Sequence, residues 1–88
     1  MSELEALMQD HYDLKCVHGE SVLTKSGFTL IATIYNEKYF LGEFLRHYRW
    51  LGVSRFLFVD DGSTDGSVEF CSEQSDVAIF TSERYRYG

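Results

Sequence analysis

Two carboxylates stand side by side at Asp60 and Asp61, at the end of the apolar run Phe56-Leu57-Phe58-Val59. Beyond them the chain reads Gly62-Ser63-Thr64-Asp65-Gly66-Ser67, a stretch of small, hydroxyl-bearing and acidic residues. A carboxylate pair of this kind can accept N–H groups from a ligand or a loop, and Gly62 and Gly66 let backbone approach a ligand closely. A second group of the same character is Thr33-Ile34-Tyr35-Asn36-Glu37, which combines a hydroxyl, an aromatic ring, an amide and a carboxylate. If the two groups meet, a carboxylate can accept the ring N–H of a base such as uracil while Tyr35 stacks on it. Turn and cap formation alone also calls for Asp, Ser and Gly in this order, so that alternative stays open at this point.

Several elements must position these residues. Phe56 to Val59 is short, rich in Phe and Val and bounded by turn residues, the pattern of a strand buried on both faces of a parallel sheet. Ligands of open parallel sheets bind at the carboxyl ends of the strands, where Asp60 and Asp61 stand. Phe28 to Tyr35 is rich in β-branched and aromatic residues and predicts an earlier strand. Asn36 is a suitable N-cap for the helix that follows, with Glu37 in its first turn. Leu41, Phe44, Leu45 and Tyr48 recur at helical spacing, Phe40 and Leu51 widen the stripe, and Gly52 suits the C′ position. Lys38, Glu43, Arg46, His47 and Arg49 fall mostly off the stripe and read as a solvated face.

After the acidic loop, Asp65 or Ser63 can cap a helix from about Gly66 to Glu73, with Val68 and Cys71 toward the sheet. Ser75-Asp76 makes a turn, and Val77 to Phe80 predicts a third strand. The alternation is that of a β-α-β-α-β parallel unit, with the first of these strands expected in the sheet interior. Upstream, Ser2 to Met8 predicts a short helix with a capping-box pair at Ser2 and Glu5. Cys16-Val17-His18 and Ser21-Val22-Leu23 read as short edge strands joined at Gly19. The expected division is residues 1–27 as N-terminal helix and extension, and 28–88 as the α/β unit.

Composition narrows the function classes. The chain has 88 residues, enough for one small domain, and 44% of them are hydrophobic. A formal charge of −6 argues against a nucleic-acid backbone or an anionic membrane surface as partner, although Arg84-Tyr85-Arg86-Tyr87 is locally basic. Cys16 and Cys71 lack metal-ligand spacing and read as reduced thiols of a cytoplasmic protein. His11 and His18 have no evident metal partners and read as surface or packing residues. No stretch is long and apolar enough to span a bilayer, and the acidic N-terminus does not resemble a signal peptide.

The segment Phe28 to Glu83 resembles the N-terminal part of a family-2-type glycosyltransferase of the GT-A fold. The resemblance rests on Asn36-Glu37, on Trp50-Leu51-Gly52-Val53 and on the D-D-G-S-T-D-G-S motif from Asp60 to Ser67. It implies a partial GT-A, Rossmann-like parallel sheet and a nucleotide-sugar donor, of UDP type. It further implies that Thr33 and Tyr35 line the base pocket, that Asp61 binds the base and that Glu37 lies near the donor. Asn36, Asp60, Gly62, Ser63, Asp65 and Gly66 would support the loop.

This chain departs from the family pattern after Phe80. The family's D-x-D motif, which holds Mn²⁺ or Mg²⁺, does not occur there, and nothing corresponds to its catalytic base. The expectation is therefore a truncated nucleotide-binding half with no cofactor of its own and no sugar transfer. Two other readings compete. One is a non-enzymatic α/β interaction module that self-associates through exposed sheet edges; a homo-oligomer is expected, with contacts through the N-terminal helix around Leu4, Leu7 and Met8 and through the sheet edge or Tyr85 and Tyr87. The other is a receiver-like or phosphatase-like domain using Asp60 and Asp61 for Mg²⁺, but Lys15, Lys25 and Lys38 all precede the key strand.

Overall fold

Strand-forming residues and helical stripes alternate along the chain, and in the computed structural model, which describes residues 14–82, they build one mixed four-stranded sheet with two helices. The strands are β1 (Leu14–His18), β2 (Phe28–Ile34), β3 (Val53–Asp60) and β4 (Val77–Ser82); the helices are α1 (Lys38–Trp50) and α2 (Ser67–Ser72). The sheet order is β1-β4-β3-β2, with β2, β3 and β4 parallel and β1 antiparallel to β4.

Alternation along β3 explains the two cores. Phe56 and Phe58 face the helices with Ile34, Leu41, Leu45, Cys71, Val77 and Ile79, whereas Leu57 faces the other side with Leu14, Val22, Leu23, Ala78 and Phe80. Phe56, Leu57 and Phe58 are all fully buried, as a strand covered on both faces requires. Phe44 completes an aromatic cluster over the first core, 6.0 Å from Phe58 and 6.4 Å from Phe56 between ring centroids.

Several expectations are corrected. Ser21-Val22-Leu23 is not a strand but part of a 3₁₀ turn, Glu20–Thr24. A strand would send Val22 and Leu23 to opposite faces, whereas the turn buries both against the second core. Gly19 permits it, with φ 76° and a position where a Cβ would collide with the Val77 carbonyl oxygen. The preceding segment is a strand, but it pairs antiparallel with β4, so the sheet is mixed rather than parallel. Strand β2 lies at the sheet edge and not in the interior among the described strands, because β2, β3 and β4 are laid down side by side in chain order.

Helix details also differ. Glu37, not Asn36, is the N-cap of α1; Gly66 is the N-cap of α2, and Asp65 just before it accepts the Ser67 N–H. Phe40 and Leu51 do not widen the buried stripe; they are 73% and 56% exposed. Arg49 is not merely solvated. Its guanidinium grips Asp76 through Nε at 2.8 Å and Nη2 at 2.7 Å, tying the end of α1 to the start of β4. The expected helix at Ser2–Met8 and the C-terminal tyrosines lie outside the described residues. No helix among the described residues is long and apolar enough to cross a membrane.

Candidate functional site

Parallel register brings the two chemistry-bearing groups together. Ile34 pairs with Asp60, so the residues that follow each leave the sheet from neighbouring strand ends. The Asp61 N–H donates to the Ile34 carbonyl at 2.9 Å and extends the ladder one step beyond β3. Tyr35, Asn36 and Glu37 therefore emerge beside Asp61 and the loop after it.

Side chains then lock the two loops to each other. The Asn36 N–H donates to Ser63 Oγ at 2.9 Å, and Asn36 Oδ1 accepts the Thr64 N–H at 2.7 Å. This exchange holds Asn36 at φ 49°, a left-handed conformation that Asn tolerates better than most residues. The Glu37 N–H donates to Ser67 Oγ at 3.0 Å, and the Lys38 N–H to Asp65 Oδ2 at 3.1 Å. Ser67, fully buried, donates its hydroxyl and its N–H to Asp65 Oδ1. Asp65 thus satisfies backbone donors at the start of both helices. Its carboxyl is held below the usual carboxylate range, mainly by the Ser67 hydroxyl and further by the N–H groups of Lys38 and Ser67.

The adjacent carboxylates occupy different environments. Asp60 is 6% exposed, and its carboxylate accepts the N–H of Gly62 at 3.2 Å and of Ser63 at 3.1 Å, shaping the loop from inside. Asp61 is half-buried, and its carboxylate has no hydrogen-bond or ion-pair partner among the described residues. Thr33, Tyr35, Asn36 and Glu37 are exposed. Beneath the loop, burial and the nearby Asp60 carboxylate push the Cys71 thiol up to about 12.

Sequence reasoning passed over two contributors. Ser67 links Asp65 to the Glu37 backbone, and its position two residues after an Asp in a Gly-containing turn was the available signal. Lys38 is the other: a Cβ at Gly66, where φ is 95°, would lie 3.3 Å from Lys38 Nζ, so an ammonium lies against the loop. No short-range pattern links residues 28 positions apart.

Asp60 already receives two loop N–H groups, and no group of three His, Cys, Asp or Glu is placed to hold a metal among the described residues.

Fold and site together define a class: a small mixed α/β sheet whose parallel strands end in an interlocked, acidic, Gly-containing loop junction. Compared with protein-family models, with curated proteins and with solved structures, the chain finds no match.

Proposed function

We propose that the junction binds the base of a uridine nucleotide, the donor moiety of a nucleotide sugar, as a glycosyltransferase-like nucleotide-binding unit. The observation that carries this reading is the Asp61 N–H to Ile34 carbonyl bond, which sets Tyr35 and a carboxylate without a partner among the described residues at adjoining strand ends. Asp61 accepts the ring N–H, Tyr35 stacks on the base, Thr33 lines the pocket and Glu37 lies toward the ribose. Lys38 supplies a cation near the loop for phosphate oxygens. The resemblance of the Asp60 to Ser67 motif to the family-2-type glycosyltransferases supports the same assignment.

Affinity in this arrangement is weak. A charge-assisted hydrogen bond contributes roughly 1.5–3 kcal/mol and base stacking about 1–3 kcal/mol, against at least ~4 kcal/mol for immobilising the ligand. Millimolar binding of UDP is the expected result. Titration of the labelled chain with UDP, followed by NMR, tests it: shifts confined to residues 33–38 and 60–66, abolished by Asp61→Ala, support the reading. Shifts elsewhere, or none at about 10 mM UDP, overturn it.

A further inference from the structure

Among the described residues, strand β2 is bonded on one side only. Its Ile34 carbonyl accepts from Asp61 and its Phe28 carbonyl from the Ser54 hydroxyl, both on the β3 side. Backbone groups alternate sides along a strand, so those of Thr29, Ile31 and Thr33 face away from β3. Natural edges are guarded by charge, Pro or bulges. Phe28-Thr29-Leu30-Ile31-Ala32-Thr33-Ile34 carries neither charge nor Pro, in a chain of net charge −6.

Among the described residues, the flank of α1 beside this edge is also open. Gly42 and Arg49 turn toward α2 and β4, where Phe70 and Asp76 meet them. On the opposite flank Leu51 and Tyr48 line, with Phe28, Leu30 and Val53, an apolar groove of about 380 Å³. Phe40 continues this flank toward the other end of the helix.

We propose that a second copy of this chain pairs with the β2 edge, antiparallel, about a dyad at Ile31. The sequence of the edge argues for that occupant because it is close to a palindrome. With Ile31 opposite Ile31, Thr29 falls opposite Thr33, Phe28 opposite Ile34 and Leu30 opposite Ala32. Every pair is like with like, Thr with Thr and apolar with apolar, which is the favourable cross-strand arrangement. The residues that face outward, Thr29, Ile31 and Thr33, are also the set whose N–H and C=O groups exchange in this register. No like charges oppose, despite the acidity of the whole chain. The same dyad lays α1 antiparallel to its copy and brings the Phe40 end of one helix to the Leu51 end of the other.

The area is consistent with a weak dimer. Phe28, Ile31, Phe40 and Leu51 are 77, 56, 73 and 56% exposed. Phe28, Phe40 and Leu51 on the α1 side of the sheet and Ile31 on its other face offer on the order of 400 Å² per copy, with roughly 150–250 Å² for a whole aromatic side chain, about half of the ~800 Å² per partner of a standard interface. The backbone edge supplies a further share. This inference does not depend on nucleotide binding.

Sedimentation equilibrium and amide exchange of the full chain test it. The expected result is a monomer–dimer equilibrium between about 10 and 500 µM, weakened at least ~10-fold by Ile31→Lys or Ile31→Glu alone and restored when the two variants are mixed. In the parent chain, amides of Thr29, Ile31 and Thr33 should gain at least ~10-fold protection at the higher concentration, while Ala32 changes little. A monomer throughout, a dimer indifferent to the Ile31 variants, or concentration-independent exchange at all three amides would each overturn the proposal. The exchange measurement needs no substitution and decides the matter even if the charged variants fail to fold.

Discussion

Asn36 Oδ1 accepts the Thr64 N–H at 2.7 Å, joining two loops 28 residues apart in the chain. Asn36 performs this while held at φ 49°. Both features make the position sensitive in separable ways.

Replacing Asn36 with Ala removes one hydrogen bond, worth about 1 kcal/mol, and imposes a left-handed conformation costing about 1–2 kcal/mol on a residue with a Cβ. Asn36→Gly loses the bond but not the conformational ease. Urea unfolding should therefore place Asn36→Ala below the parent by about 2–3 kcal/mol and Asn36→Gly between them. Equal losses for the two variants would show that backbone strain plays no part.

Acid should destabilise the chain through two identified carboxyls. Asp76 is held below its ordinary range chiefly by the hydrogen bonds from Arg49, and Asp65 by the Ser67 hydroxyl. A carboxyl titrating lower in the folded chain than in the unfolded one stabilises the fold above the unfolded value, near ~4. That stabilisation disappears as pH falls through the lower folded value. Urea midpoints should be flat from pH 7 to about 5 and fall below about pH 4. Asp76→Asn should lower the midpoint at pH 7 and flatten the acid limb; an unchanged acid limb would exclude the Arg49–Asp76 pair as its source.

Cys71 should be inert in the native chain. Its thiol is buried and pushed up to about 12. Its thiolate fraction at pH 8 is therefore about one in ten thousand. Iodoacetamide at pH 8 should modify Cys16, which is half-buried, well before Cys71, with both reacting in urea. Rapid native alkylation of Cys71, read by peptide mass, would contradict the packing of α2 on the sheet.

Manganese should leave UDP affinity essentially unchanged, because the acidic residues at the junction do not assemble a cation site. The chain by itself should transfer no sugar from a nucleotide-sugar donor. Turnover that is lost with Asp61→Ala would revise the proposed role of the unit as a binding element alone.

Much of the junction was legible in the linear order of residues. The runs at Phe28 to Ile34, Phe56 to Asp60 and Val77 to Phe80 are strands because β-branched and aromatic side chains suit a pleated, buried surface. The stripe of Leu41, Phe44, Leu45 and Tyr48 marks α1 because its spacing matches the helical period. Those signals are local, and local propensity suffices for them.

Pairing between distant segments was not legible. Only tertiary structure turned Ser21 to Leu23 into a 3₁₀ turn, since burial of both Val22 and Leu23 on one core outweighs their strand propensity. Only tertiary structure joined Arg49 to Asp76 and made β1 antiparallel, because partner choice depends on which surfaces remain uncovered once the sheet assembles. The adjacent carboxylates show the division most sharply. Their types and order are written in the chain, but Asp60 turns inward to the N–H groups of Gly62 and Ser63 while the Asp61 carboxylate has no partner among the described residues. Alternation along β3 and the closing of the loop decide which of the two carboxylates accepts the loop N–H groups.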